Sequence, residues 1–167
     1  MYNIVYTSNA GHTMEYAKIL ASELSCEAYS LKDAKKKLKK HSEVIYLTWI
    51  FAGRPKKLKK ALRRYKCIAV ATVGMTLNKI DQDEIKFKYK LNCPLYYLPG
   101  GLDTTRLKGI YKSIAQSVYD KMLVKLNSKK ELDDQEKIVA EAIVKGTNYV
   151  NRIYLDPILR YFNNIKK

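Results

Sequence analysis

At 167 residues the chain has the length of one domain, enough to bury a two- or three-layer core. No run approaches the roughly 18 apolar residues of a membrane span, and residues 2–7 read as a strand rather than a secretion leader, so a soluble cytoplasmic protein is expected. The formal charge of +16 is uneven: residues 32–66 hold 14 Lys or Arg against two acidic residues, a surplus of 12 on one stretch.

That stretch describes a basic surface suited to an acidic partner, an anionic membrane or nucleic acid. Nucleic acid is the least favoured of these, because no aromatic residues interleave the lysines and no binding motif accompanies them. Of the 32 basic residues 26 are Lys, a composition that also fits an ordinary solvated surface. Cys26, Cys67 and Cys93 are odd in number and lack CxxC spacing, so reduced thiols are expected. Two histidines, His12 and His41, with no Cys/His cluster, speak against structural zinc.

In chain order, apolar runs at 2–7, 27–30, 43–49, 67–72 and 94–98 read as five strands alternating with helical segments. After the first, Ala17, Leu20, Ala21 and Leu24 recur at helical spacing; after the second, Leu31, Ala34 and Leu38 make a shorter stripe; after the third, Leu58, Ala61, Leu62 and Tyr65 repeat the pattern. Residues 77–91 are the least regular. The alternation predicts an α/β fold: a doubly wound, five-stranded parallel sheet with helices on both faces.

Beyond the fifth strand one closing helix would suffice, yet about 65 residues remain. A single domain over 1–167 with an inserted helical segment at 103–130 accounts for them. Asp103 and Thr104 are expected to cap a helix carrying Leu107, Ile110, Ile114, Val118, Met122 and Leu126. A second helix fits 133–144, with acidic residues in its first turn and Gly146 as its stop. Asp156-Pro157 predicts an N-cap and first helical residue for a short terminal helix.

Gly11, Gly53, Gly74, Gly100 and Gly101 follow strand ends, which in a parallel sheet all lie on the carboxyl edge where ligands bind. The sharpest signal is Ser8, Asn9, Ala10, Gly11, His12 and Thr13, which gather hydroxyls, an amide and a glycine ahead of a helix, a setting suited to phosphate. The loop has no Lys or Arg, which excludes a Walker A motif and predicts phosphate binding that depends little on salt. No GxGxxG occurs, which argues against a dinucleotide-binding fingerprint.

These six residues resemble the flavodoxin phosphate loop, whose pattern is a hydroxyl residue, any residue, Thr, Gly, any residue and a second hydroxyl residue. Ser8, Gly11 and Thr13 match it; Ala10 stands where a hydroxyl is expected, at a cost of about 1.5–3 kcal/mol in phosphate binding if nothing compensates. With residues 98–103 (Leu-Pro-Gly-Gly-Leu-Asp) and 106–111, the chain is similar to the flavodoxin-domain branch that includes bacterial quinone-dependent protoporphyrinogen oxidases. The resemblance implies a flavodoxin-like sheet of order 2-1-3-4-5 and a noncovalent flavin mononucleotide (FMN) whose phosphate lies at residues 8–13.

It further implies that the loops after strands three and four flank the flavin ring, here Thr48, Trp49, Ile50, Phe51, Ala52 and Gly53, and Thr72, Val73, Gly74 and Met75. Trp49 or Phe51 would stack on the ring, and Met75 is a weaker contact. No nucleophile or acid–base constellation is evident, so the flavin would supply the chemistry. Two roles remain open: an electron carrier docking on a redox partner protein, and a flavoenzyme resembling protoporphyrinogen IX dehydrogenase that passes electrons to a quinone through peripheral contact with an anionic membrane.

Overall fold

The structure is a computed structural model that describes residues 2–75 and 82–165. Its strands are β1 (Asn3–Thr7), β2 (Ala28–Ser30), β3 (Glu43–Phe51), β4 (Arg54–Pro55), β5 (Lys66–Gly74) and β6 (Leu95–Pro99). Its helices are α1 (His12–Leu24), α2 (Leu31–Lys37), α3 (Leu58–Arg64), α4 (Gln82–Tyr89), α5 (Ile110–Asn127), α6 (Asp134–Lys145) and α7 (Asp156–Ile165), the last preceded by a 3-10 turn over Arg152–Leu155. The sheet order is β2-β1-β3-β5-β6, all parallel, with β4 paired antiparallel to β3. Setting β4 aside, this is the expected flavodoxin-like doubly wound order.

Alternation along each strand produces two cores, since successive side chains point to opposite faces. Ile4, Ile45, Leu47, Ala71 and Leu98 pack with Tyr16, Ala17 and Leu20 of α1 and with Ile158, Leu159 and Phe162 of α7. Val5, Val44, Tyr46, Ile50 and Val70 pack with α2 and α3 through Leu31, Ala34, Leu58 and Ala61, and with α4 through Ile85. Each fully buried Leu or Ile contributes about 1.5–3 kcal/mol, so these two layers dominate stability.

The third strand runs two residues past its expected end at Trp49 and reverses through Ala52 and Gly53, at φ 50° and 69°. Positive φ at both central residues matches the right-handed twist of the flanking strands in a two-residue hairpin. The helix expected over 133–144 runs one residue later, and Asp133 is its N-cap: its Oδ1 accepts from Glu136 N–H at 2.8 Å, and Glu136 Oε2 accepts from Asp133 N–H at 3.3 Å. The region expected at 77–91 yields α4 from Gln82 onward, and its first residues lie outside those described.

The helix expected from Asp103 starts at Ile110, with Gly109 as N-cap. Asp103 is otherwise engaged: its Oδ1 accepts from the backbone N–H groups of Thr105 (3.0 Å) and Arg106 (3.3 Å), which closes a turn. Nor does Asp156 cap the terminal helix, because the 3-10 turn precedes it and Asn151 caps that turn by accepting from Ile153 N–H at 3.0 Å. Residues 103–146 form an excursion pinched at its base, where Leu102 N–H donates to Thr147 Oγ1 (2.8 Å) and Tyr149 N–H donates to the Gly100 carbonyl (3.0 Å). At Gly101, φ is +115° and a Cβ would lie 2.2 Å from the Thr147 oxygen, so only glycine allows this closure. Among the described residues no helix is long and apolar enough to cross a membrane.

Candidate functional site

The crossovers leaving β1 and β3 go to opposite faces of the sheet, α1 to one and α3 to the other, which opens a crevice between the two strand ends. Residues 8–11 form one wall. Gly11 N–H donates to Ser8 Oγ at 3.1 Å, which curls the loop into the start of α1, and Gly11 itself offers no side-chain cap. The α1 terminus therefore presents N–H groups and the positive end of the helix dipole to the crevice.

The loop after β6 crosses over this wall and is fastened to it. Lys108 N–H donates to Asn9 Oδ1 (2.8 Å), and Asn9 Nδ2 donates to the Lys108 carbonyl (3.4 Å). Arg106 bridges two carboxylates, with Nη1 3.1 Å from Glu15 and Nε 3.2 Å from Asp103. The Asp103 carboxyl is held below its usual range, chiefly by the Thr105 hydroxyl donating to it, with help from two backbone N–H groups and Arg106.

Two spaces result. A small cavity of about 60 Å³ lies under the loop, between Trp49, Ile50 and Phe51 on one side and Val73, Gly74 and Met75 on the other, and Leu107, Ala115 and Tyr119 also line it. Beside it an open cleft of about 800 Å³ runs from residues 8–11 toward the starts of α2 and α3 and the 105–108 loop. Ser8, Asn9, Ala10 and Leu107 border both.

Of the residues singled out from the sequence, Ser8, Asn9, Ala10, His12, Thr13, Trp49, Phe51, Val73 and Gly74 converge on the small cavity, and Gly11 lines the cleft. Four do not line either space. Thr48 and Thr72 point into the sheet: the Thr48 hydroxyl donates to the Lys56 carbonyl at 2.6 Å and Thr72 donates to Tyr96 O at 3.2 Å. Ala52 and Gly53 form the β3–β4 turn. Gly74 and Gly100 answer to packing as well, since a Cβ at Gly74 would lie 2.2 Å from the Tyr97 hydroxyl oxygen and one at Gly100 would lie 2.7 Å from Val73 Cγ1.

The aromatic pair is also engaged. Trp49 and Phe51 meet Tyr111 of α5 edge-on, at centroid distances of 4.8 and 5.1 Å, and the Lys56 ammonium sits 4.9 Å from the Phe51 and Tyr111 rings. Tyr111 and Lys56 received no site role from the sequence: Tyr111 entered only through the resemblance at 106–111, and Lys56 looked like part of the lysine run. Also missed were Lys32, Lys57, Arg106 and Lys108, which line the cleft and surround the loop with positive charge. Lys32 and Lys57 each lie two residues after a strand end, whereas Arg106 and Lys108 sit well inside the loop after β6. These four cations stand around a loop that itself carries no Lys or Arg.

His12 is the one buried imidazole here, 6 % exposed, and its Nε2 has no hydrogen-bond partner. Burial pushes its pKa below the usual histidine value, and Arg106 acts in the same direction against Glu15 and Asp103. At neutral pH His12 is thus a neutral ring with an unsatisfied nitrogen, beside the cavity it lines.

Among the described residues no group of three or more His, Cys, Asp or Glu could hold a metal ion. Comparison with known proteins gave no match in family models, curated sequences or solved structures.

Proposed function

We propose that this chain binds FMN at the crevice between β1 and β3 and acts as a redox protein. The observation carrying the reading is the position of residues 8–13: a hydroxyl- and glycine-bearing loop at the start of a 13-residue helix, opening on the strand-order switch. Supporting it are the surrounding cations and an unsatisfied His12 nitrogen at the adjoining cavity.

The phosphate end fits the residues with Ser8 and the first N–H groups of α1 as its holders, the Gly11 N–H being already spent on Ser8 Oγ. The ring end fits only after movement, because a cavity of about 60 Å³ is far smaller than three fused rings. Leu107, Ala115 and Tyr119 line the cavity from the excursion, so the reading requires that segment to swing away from Val73–Met75 when ligand enters. Bound there, FMN would supply one- or two-electron chemistry, and the chain would hold and desolvate it between Trp49 and Phe51 and the β5 end.

Adding FMN to the purified protein tests this directly. The expected result is a shifted flavin absorption band with quenched fluorescence, and partial return of that fluorescence in the Trp49→Ala, Phe51→Ala double variant. Free-flavin spectra throughout the titration would remove the FMN reading.

A further inference from the structure

We infer that the open cleft takes a ligand bearing two adjacent phosphates, not a monophosphate alone. The inference rests on the reading of residues 8–13 as an anion site and is independent of whether a flavin is attached.

Among the described residues four cationic side chains from three separate segments line the cleft: Lys32 in the first turn of α2, Lys57 at the start of α3, and Arg106 and Lys108 on the loop after β6. Among the described residues Glu15 is the one carboxylate lining it, and Arg106 already pairs with it. Among the described residues Lys32, Lys57 and Lys108 have no ion-pair partner. Like charges gathered around one concavity repel one another, and an anion placed among them relieves that repulsion.

The backbone reinforces the arrangement. Lys57 has φ +58°, the left-handed region that lysine rarely adopts, and this conformation sets it at the cleft wall as the N-cap of α3. A single phosphate seated at the α1 terminus would be met by Ser8 and backbone N–H groups, which leaves the lysines on the α2 and α3 wall unanswered. A second phosphate reaching toward Lys32 and Lys57 would engage them, and a cleft of about 800 Å³ has room for it. Lysine ammoniums suit this use, as point charges that follow a mobile phosphate without needing fork geometry.

Calorimetric titration of the full chain with inorganic pyrophosphate and, separately, orthophosphate at low ionic strength tests the inference. Pyrophosphate is expected to bind about tenfold tighter or better, and the Lys32→Glu, Lys57→Glu double variant is expected to lose about tenfold or more of that affinity while melting like the parent. Both lysines are exposed, and the melting curve guards against misfolding as the cause. Equal affinities for the two anions, or a double variant that binds pyrophosphate as tightly as the parent, would overturn it.

Two arms separate the sources of the diphosphate: ADP against AMP for a nucleotide, and flavin adenine dinucleotide against FMN for a flavin. Preference for the diphosphate member of either pair supports the inference and names the source. Failure of both flavins with pyrophosphate preference intact removes the flavin reading alone. Equal flavin binding without pyrophosphate preference removes this inference alone.

Discussion

Helices α5 and α7 both follow the sheet, both carry apolar residues at helical spacing, and they use them differently. The 10-residue α7 buries Ile158, Leu159 and Phe162 against β1, β3 and α1, while the 18-residue α5 buries only Ala115 and Leu126. Ile110, Ile114, Val118 and Met122, one stripe along α5, are each more than 40 % exposed. Periodicity thus identifies a helix and the face it could bury; what lies opposite decides whether it does. The short C-terminal helix closes the doubly wound core, and the long one before it belongs to the excursion over the site.

The comparison breaks first, and hardest, at Phe162. Its ring packs 5.1 Å from Tyr2 and 5.2 Å from Tyr161, and only 3 % of it is exposed. Phe162→Ala should cost about 3–5 kcal/mol in urea unfolding, the usual loss for a large core aromatic. A loss below about 1 kcal/mol would mean that α7 does not close the core in solution.

Next is Gly101→Ala at the base of the excursion, expected to cost about 3 kcal/mol from backbone strain and collision with the Thr147 carbonyl together. The damage should be local as well as global: the Leu102 to Thr147 and Tyr149 to Gly100 bonds should open, seen as faster amide exchange at Leu102 and Tyr149. Unchanged exchange at those two amides would place the pinch elsewhere.

Much of the sheet was legible because parallel strands are buried on both faces and read as short apolar runs, and because the loops between them carry glycine. The loop at Ser8–Thr13 was legible for the same local reason, a strand end followed by a cap and a helix. What could not be read was tertiary. Thr48 and Thr72 have the same chemistry as Ser8 and Thr13, yet pleat direction turns the first pair inward to Lys56 and Tyr96. Lys32, Lys57, Arg106 and Lys108 lie up to 76 positions apart in sequence, and only the fold brings them to one cleft. Asp103 looked like a helix cap because its side chain does cap N–H groups, though those of a turn that carries Leu107 over the cavity.

A smaller effect distinguishes the site from the rest of the core through pH. The unfolded chain takes up a proton near pH 6.5 that folded His12 resists, so stability is full above that value and falls as pH drops below it. At pH 5.5 the loss is bounded at about 1.4 kcal/mol, one pH unit of linkage. The lowered carboxylates Glu23, Glu43, Asp103 and Glu141 act only below their ordinary range, near pH 4, and leave this window clear. Urea midpoints at pH 7.0 and 5.5 should therefore differ for the parent and converge in His12→Gln. The same slope in both would show that the imidazole is solvated.

The smallest expected effect sharpens the comparison most. Val118 on α5 is 54 % exposed, so Val118→Ala should change stability by no more than about 0.5 kcal/mol, against about 2–5 kcal/mol for Leu159→Ala on α7. Amide exchange should agree, with α5 and α6 opening at free energies well below the global value and α7 exchanging with α1, because few buried apolar contacts hold the excursion down. Dilution makes the pair of measurements decisive. If Val118→Ala costs as much as the α7 change at high protein concentration and little at low concentration, the α5 stripe is covered by a second copy of the chain. If the cost is large at every concentration, the stripe is buried within the molecule itself, and the contrast between the two helices fails.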